Sequence, residues 1–289
     1  MIERLLICTD LDRTLLPNGS QPESANARSY FGSLVARPEI TLAYVSGRHR
    51  SLVKQAILEY QLPLPDFVVG DVGTTIYHVG SEQEWALQTD WELEIAKDWG
   101  GKNHADLMAL LGDFQQLRLQ EQTKQNNYKL SYYTSLKIEQ KQMLEAISKR
   151  LSDSGVRASL VWSIDEESET GLLDVLPERA TKFHAVEALM KHGGFGLENT
   201  VFCGDSGNDI EVLVSPVPGV LVANSQLEIQ TLARELANKN GQASQLYLAQ
   251  GGFMGMNGHY AGGILEGIAH YHPEVVDWIK QDKKKGDHL

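Results

Sequence analysis

Short apolar runs alternate with helix-like stretches in two separate parts of the chain. Five apolar runs, each followed directly by polar residues, cover positions 5–9, 41–45, 67–69, 200–203 and 219–222. Parallel strands that are buried on both faces have this uninterrupted apolar character. Helix-like segments lie between the runs, near positions 24–35, 50–60, 182–192, 209–214 and 227–239. The alternation predicts the α/β fold class, with a Rossmann-like parallel sheet core and helices on both faces.

The middle of the chain has a different pattern. Glycines become rare from about position 84 to position 165, helix-like segments cover 105–117 and 139–152, and strand-like segments cover 128–133 and 156–162. Strands and helices in this mixture are typical of an α+β unit. We therefore expect a discontinuous core domain of residues 1–83 and 174–289, interrupted by an inserted α+β cap domain of residues 84–173.

The composition excludes several classes of protein. Hydrophobic residues make up 42% of the chain, enough for a core, and no apolar run reaches the roughly 18 residues of a membrane span. The net charge of −12 argues against a nucleic-acid partner, because such proteins neutralise phosphates with Lys and Arg. The apolar N-terminal segment is too short for a secretory signal, and Cys8 and Cys203 cannot form a disulfide framework. A cytoplasmic protein is the expectation.

Two acidic clusters follow predicted strands. Asp10 and Asp12 come directly after the first apolar run, and Asp205 and Asp209 follow the fourth. Because ligands bind beyond the carboxyl ends of parallel strands, these four carboxylates should converge at one edge of the sheet. Such a cluster is unfavourable unless a cation lies inside it, and Mg²⁺ is the preferred cation for oxygen ligands beside a phosphate.

Two further segments offer groups that could bind an anion. Ser46, Gly47 and Arg48 close the second apolar run, so a hydroxyl and neighbouring backbone N–H groups lie at the start of a helix. Lys182 begins another predicted helix and could supply a fixed positive charge. Taken singly, a serine here could be an ordinary helix cap and a lysine is usually solvated.

The order and approximate spacing of these segments resemble the four motifs of the haloacid dehalogenase-like phosphatases: Asp10-x-Asp12-x-Thr14, Ser46-Gly47-Arg48, Lys182 and Gly204-Asp205-x-x-Asn208-Asp209. The insertion falls between the second and third motifs, as in the sugar-phosphatase branch of that superfamily. Segments 6–12, 72–77, 174–177, 203–209 and 261–266 resemble the sucrose-phosphate phosphatases more closely, and the mannosylfructose-phosphate phosphatases are similar in the same places. One departure is Ser46, where sucrose-phosphate phosphatases often carry threonine.

The resemblance implies a role for each of these residues. It makes Asp10 the nucleophile that forms an aspartyl-phosphate, and Asp12 the group that protonates the leaving oxygen and then deprotonates water. It also implies Mg²⁺ as the cofactor, held by Asp10, the backbone carbonyl of Asp12 and Asp205, with Asp209 in support. Four residues would bind or orient the phosphoryl group: Ser46, Gly47, Lys182 and Asn208. Of these, Ser46 and Lys182 are also predicted catalytic residues.

The implied activity is Mg²⁺-dependent hydrolysis of a phosphorylated disaccharide, with sucrose 6-phosphate as the first choice. Within the superfamily, a mannosylfructose-phosphate phosphatase, another sugar phosphatase or a phosphosugar mutase is the alternative. Outside it, a phospho-accepting receiver domain needs neither Asp12 nor an inserted domain. The intact motifs argue against a non-catalytic phosphosugar sensor or an accessory subunit of a glycosyltransferase. The expected partners are the sugar phosphate itself and a sucrose-phosphate synthase-type glycosyltransferase.

Sugar recognition is expected in the inserted domain, because the core motifs account only for the phosphoryl group and the metal. Segment 126–130 contains amide, aromatic and ammonium groups that could bond to sugar hydroxyls or pack on a ring. Asn127 and Lys129 are the predicted substrate-binding residues. The alternative for this segment is an edge strand with a solvated lysine.

Overall fold

The computed structural model describes residues 3–80, 84–165 and 168–286. Its strands are β1 (Leu5–Thr9), β2 (Ile40–Val45), β3 (Phe67–Gly70), β4 (Thr75–Val79), β5 (Trp85–Leu87), β6 (Arg118–Leu119), β7 (Leu130–Ser135), β8 (Ala158–Asp165), β9 (Thr170–Pro177), β10 (Thr200–Gly204), β11 (Gly219–Leu221) and β12 (Leu246–Leu248). Its α-helices are α1 (Ala27–Val35), α2 (Arg50–Glu59), α3 (Thr89–Ala96), α4 (His104–Leu110), α5 (Gln140–Asp153), α6 (Lys182–Gly193), α7 (Ile210–Leu213), α8 (Leu227–Lys239), α9 (Ala261–Tyr271) and α10 (Val275–Gly286).

The larger sheet has eight strands in the order β12-β11-β10-β1-β2-β3-β4-β5. Strands β12 to β3 in this order are parallel, whereas β4 and β5 are antiparallel additions at one edge. Every residue of β1 is buried because helices cover both faces of the sheet. Full burial of one leucine or isoleucine side chain contributes about 1.5–3 kcal/mol. The predicted α/β fold class is confirmed.

Side chains of β1 alternate between the two faces, as the pleat of a strand requires. Leu5 and Ile7 pack with buried residues of α1, α2, α9 and α10, while Leu6 and Cys8 pack with residues of α3, α6, α7 and α8. Cys8 and Cys203 are free, buried, and belong to opposite faces. Burial raises the pKa of both thiols, so they behave as small apolar residues.

The smaller sheet has four antiparallel strands in the order β6-β7-β9-β8. Its core contains Leu130, Leu173 and Val175 from the strands, and Leu107 and Ile147 from α4 and α5. This unit is the α+β cap expected from the middle of the chain. Helix α4 ends at Leu110 rather than at 117, and turns at 111–117 let partly buried Phe114 and Leu117 pack against the cap core.

The strands change sheets close to the predicted domain limits. Strand β5 lies beyond residue 83 and pairs with β4 in the larger sheet, while β9 extends past residue 173 in the smaller sheet. Strand pairing places the change from one sheet to the other after Leu87 and again after Pro177. The division at 84 and 173 stays a prediction.

Candidate active site

Three carboxylates meet where β1 and β10 end. Asp10, Asp205 and Asp209 each have an oxygen within 4.8 Å of the others, and all three residues are buried. The parallel register of β1 and β10 pairs Thr9 with Cys203, and the backbone N–H of Asp10 donates to the Cys203 carbonyl at 2.9 Å. Strand register therefore brings together acids that are about 200 residues apart in the sequence.

Gly204 leaves room for the third acid of this cluster. A Cβ atom at position 204 would lie 2.5 Å from the Cγ atom of Asp209, so a side chain there would displace the carboxylate. Asp209 Oδ2 accepts from the backbone N–H groups of Asp205 and Ser206, both at 3.1 Å. Asp209 is thus a member of the carboxylate cluster and also fixes the loop that carries Asp205.

The acid cluster is costly without a cation. Burial, helped by the charge of Asp209, raises the pKa of Asp10 to about 7 and that of Asp205 to about 6. These values mean that the ionised carboxylates repel one another in a poorly solvated place. A hard divalent cation would relieve the repulsion, and carboxylate oxygens are the ligands that it prefers. The residues present therefore fit a divalent metal.

Lys182 supplies one positive charge to the cluster. It is the first residue of α6, is only 3% exposed, and its Nζ atom lies 2.9 Å from Asp10 Oδ1 and 2.7 Å from Asp209 Oδ1. Burial alone would lower the pKa of Lys182, but the two carboxylates outweigh burial and raise it. The lysine is therefore charged. The solvated lysine considered as the alternative is excluded by this burial.

Ser46 and Gly47 lie beside the cluster at the end of β2. The Ser46 hydroxyl accepts from the backbone N–H of Arg48 at 3.1 Å, so the serine orders the turn into α2. A cleft of about 370 Å³ opens here, and its lining contains five of the predicted site residues. These five are Asp10, Asp12, Gly47, Asp205 and Asn208.

Arg48 is a site residue that the sequence analysis left without a role. Its Nε and Nη2 atoms lie 2.8 Å and 2.5 Å from the two carboxylate oxygens of Asp12, and Asn18 Nδ2 donates to Asp12 Oδ1 at 2.7 Å. Burial would raise the pKa of Asp12, but the Arg48 contacts outweigh it and lower the pKa. The sequence signal that could have identified this role is the position of Arg48, a basic residue directly after the predicted anion-binding residues Ser46 and Gly47.

Thr14 and Arg13 both approach Asp205. The Thr14 hydroxyl donates to Asp205 Oδ1 at 3.2 Å. The Nε atom of Arg13 is 3.6 Å from Asp205 Oδ2. The loop after β1 is thus tied to the loop after β10 by side chains as well as by the sheet.

The two predicted sugar-binding residues lie in a turn of the cap. Asn127 is exposed and its Nδ2 atom donates to Glu92 at 3.2 Å, while the Nζ atom of Lys129 is 3.6 Å from Asp174. Neither is among the described residues that line the 370 Å³ cleft. Contact with the core is made by Asn126, whose Nδ2 atom donates to the Thr74 hydroxyl at 2.8 Å. A role for Asn127 and Lys129 stays a prediction.

Comparison with known families matches residues 3–272 to the family described as sucrose-6F-phosphate phosphohydrolase. The chain belongs to this family. It is therefore a phosphatase, a hydrolase of phosphoric monoesters, and the receiver-domain alternative is excluded. Within residues 3–80, 84–165 and 168–286, no helix has both the length and the apolar character of a transmembrane span.

Individual relatives differ in what their names say about substrate. A HAD-like hydrolase from Nitrosococcus oceani is 50% identical over 99% of this chain and 76% of its own length. Sucrose-phosphatase 1 from Nicotiana tabacum is 30% identical over 93% of this chain, which spans only 59% of that protein. Mannosylfructose-phosphate phosphatase from Agrobacterium fabrum is 26% identical over 92% of this chain and 96% of its own length.

A solved structure agrees in fold across most of the chain. The sucrose-phosphatase of Synechocystis sp. PCC6803, determined in complex with sucrose and phosphate, has a TM-score of 0.68 and 27% identity, and the match covers 93% of this chain and 98% of that one. The family and this neighbour support a sugar phosphatase.

Proposed function

We propose that this protein hydrolyses a phosphorylated disaccharide in a Mg²⁺-dependent reaction, with sucrose 6-phosphate as the first substrate. The observation that carries the proposal is the buried cluster of Asp10, Asp205, Asp209 and Lys182 in a chain of the sucrose-6F-phosphate phosphohydrolase family. The cluster offers a nucleophile and a set of carboxylate oxygens within 4.8 Å of one another, with a countercharge 2.9 Å from Asp10 and 2.7 Å from Asp209.

Asp10 and Asp12 carry the covalent chemistry in this proposal. A carboxylate oxygen of Asp10 attacks phosphorus, the bond to the sugar oxygen breaks, and an aspartyl-phosphate forms. Asp12 acts here in its protonated form, against the lowering of its pKa by Arg48 in the free protein. It gives its proton to the departing sugar oxygen, then takes a proton from the water that attacks the phosphoenzyme. Phosphate and free Asp10 result, and Asp12 is again protonated.

The metal would be held by Asp10, the backbone carbonyl of Asp12 and Asp205, with Asp209 in support. When bound, a divalent cation supplies positive charge against the phosphate oxygens. Around the metal, Lys182 places its positive charge next to the nucleophile Asp10. Ser46, Gly47 and Asn208 bind or orient the phosphoryl group. These groups offset a net charge of −12 that otherwise opposes an anionic substrate.

The cap is the proposed place of sugar recognition, through Asn127 and Lys129. Lys129 is 9% exposed and lies near the core residues Asp71 and His49. Burial raises the pKa of Asp71 and the charge of Lys129 partly offsets this, whereas burial lowers the pKa of His49 and the charge of Lys129 adds to this. A buried ammonium at this boundary is suited to bond a sugar hydroxyl. Mannosylfructose phosphate is the second candidate substrate, supported by the nearly full-length match to the Agrobacterium enzyme.

Release of phosphate from a panel of sugar phosphates tests the proposal. We expect kcat/KM for sucrose 6-phosphate to exceed that for mannosylfructose phosphate and for phosphorylated monosaccharides. A preference for a monosaccharide phosphate would contradict the disaccharide assignment. Transfer of the phosphoryl group within the sugar, without phosphate release, would identify the mutase alternative instead.

We also propose a cytoplasmic location and association with a sucrose-phosphate synthase-type glycosyltransferase. The two free, buried cysteines are compatible with a reducing compartment. The substrate must be made by an enzyme that joins two sugars, one of them phosphorylated, which is the argument for such a partner. Co-elution of the two proteins in size-exclusion chromatography would support association, and independent elution at micromolar concentration would contradict it.

A further inference from the structure

Asn224 connects two elements beside the candidate active site. It lies after β11 and is 3% exposed. Its Nδ2 atom donates to the carbonyl oxygen of Arg13 at 2.6 Å, and its Oδ1 atom accepts from the backbone N–H of Tyr260 at 2.9 Å. One buried amide is thus hydrogen-bonded both to the loop after β1 and to the start of α9.

The backbone that Asn224 holds has an unfavourable conformation. Arg13 has a φ of 58°, in the left-handed region that is costly for a residue with a Cβ atom. Its backbone N–H donates to Asn18 Oδ1 at 2.8 Å, and its carbonyl accepts from Asn224. Conformations of this kind persist when neighbouring groups hold them from both sides.

The Arg13 side chain forms an ion pair with Asp205 rather than a hydrogen bond through Nε. Its Nε atom has no hydrogen-bond partner among the described residues and is 3.6 Å from Asp205 Oδ2. The two side-chain amides, from Asn18 and Asn224, are the groups that hold the backbone of Arg13 on its two sides. Of the two, Asn224 is the buried one, anchored in turn by Tyr260.

The φ angle of Arg13 sets the orientation of the peptide plane that joins it to Asp12. That plane includes the Asp12 carbonyl, and a change in φ also moves the Asp12 side chain, which lines the cleft. We propose that Asn224 is a positioning residue: by holding Arg13 in the left-handed conformation, it keeps the carbonyl and carboxylate of Asp12 in place for metal and substrate. The inference rests on the proposed function insofar as Asp12 has a role there.

The test separates the effect of the backbone conformation of Arg13 from the effect of losing its side chain. Asn224→Asp keeps the oxygen that accepts from Tyr260 and removes the donor to Arg13. It is made in two backgrounds, Arg13→Ala and Arg13→Gly, which both lack the arginine side chain. Glycine adopts a positive φ readily, whereas alanine does not, so only the alanine background should need Asn224.

Two quantities are measured: kcat/KM for the phosphodisaccharide, and the affinity for Mn²⁺ alone, from the paramagnetic resonance signal of the free ion. We expect Asn224→Asp to lower both by about tenfold in the alanine background and by about twofold or less in the glycine background. Asn240→Asp is the matched control, since it removes an amide donor to the Val214 carbonyl, 3.2 Å away, at another place in the fold. The control should leave Mn²⁺ affinity unchanged.

Equal losses in the two backgrounds, or no loss in either, would overturn the inference. A double variant that folds only with glycine at position 13 supports it, whereas failure to fold with either residue contradicts it. If the unsubstituted protein releases no phosphate from any sugar phosphate, the proposed function fails. The Mn²⁺ comparison still decides whether Asn224 positions the loop.

Discussion

Removal of the metal is expected to make the stability of the protein fall as pH rises. Burial is the main cause that raises the pKa values of Asp10 and Asp205 from 3.8 to about 7 and about 6. At intermediate pH the folded, metal-free protein therefore holds protons that the unfolded chain has already lost. The contribution of these two protonated carboxyls to the free energy of unfolding is complete below about pH 4 and is lost as pH rises through about 6 to 7.

The size of the effect follows from these pKa values. Between about pH 5.5 and about pH 8, both carboxyls stay ionised in the unfolded chain, whereas most of their titration in the folded chain occurs in this interval. Over this interval, the linkage between proton binding and folding lowers the free energy of unfolding by about 2 kcal/mol for Asp10 and about 1 kcal/mol for Asp205. A total of about 3 kcal/mol corresponds to a decrease of about 6–12 °C in Tm.

Calorimetric melting of the chelated protein at both pH values measures this difference. Added Mg²⁺ should raise Tm more at the higher pH, because ionised carboxylates bind it and protonated ones do not. The control is Asp10→Asn, which cannot titrate at that position and should reduce the pH difference by about two thirds. A Tm of the chelated protein that rises with pH, or an Asp10→Asn protein with unchanged pH dependence, would refute the reasoning.

Three further predictions concern single side chains. Asp10→Asn should abolish both turnover and formation of a phosphoenzyme. Asp12→Asn should lower kcat by about 10² to 10⁴ because the leaving sugar oxygen loses the acid that protonates it. Trapping of phosphate on any residue other than Asp10 would contradict this mechanism. Asn127→Ala and Lys129→Ala should each lower kcat/KM for the phosphodisaccharide by about tenfold or more while p-nitrophenyl phosphate hydrolysis changes little; equal losses on both substrates would indicate a role in folding or cap closure. Arg48→Gln should raise the pKa of Asp12 in the chelated protein, since Arg48 lowers it more than Asn18 and Lys182 do, and a carbon NMR titration of the Asp12 carboxyl that shows no shift would exclude this cause.

The parts of the fold that were predictable from the sequence are those in which local pattern decides the outcome. Strand β1 has the predicted limits, and β2 and β10 differ from them by one residue at one end each. Buried parallel strands are short apolar runs whose polar successors meet at one edge of the sheet. For that reason the sequence predicts that Asp10, Asp205 and Asp209, which follow two separate apolar runs, lie together. Lys182 is connected with them only by the resemblance to the phosphatase motifs.

The parts that were not predictable depend on contacts between distant segments. Strands β4 and β5 join the core sheet in antiparallel orientation, which no local pattern at positions 75–79 or 85–87 specifies. The pairing of Arg48 with Asp12 needs the relative placement of the loops after β1 and β2. Asn224 follows the apolar run 219–222, but no local pattern specifies its two partners, which are 211 and 36 residues away.

Family membership determines the chemistry of this protein more closely than it determines the sugar. The residues that line the 370 Å³ cleft come from the core, and they include the groups proposed to attack phosphorus and to hold the metal. In the cap, Asn127 is hydrogen-bonded to Glu92 and Lys129 lies beside Asp174, so the predicted sugar-binding groups have protein partners that a substrate hydroxyl would have to replace. The net gain from binding the correct sugar is then the difference between two sets of polar contacts, which is usually small for each bond. In the proposed recognition of the sugar by the cap, discrimination between sucrose 6-phosphate and mannosylfructose phosphate would come from several cap contacts acting together, and kinetic comparison of the two substrates is the measurement that tests it.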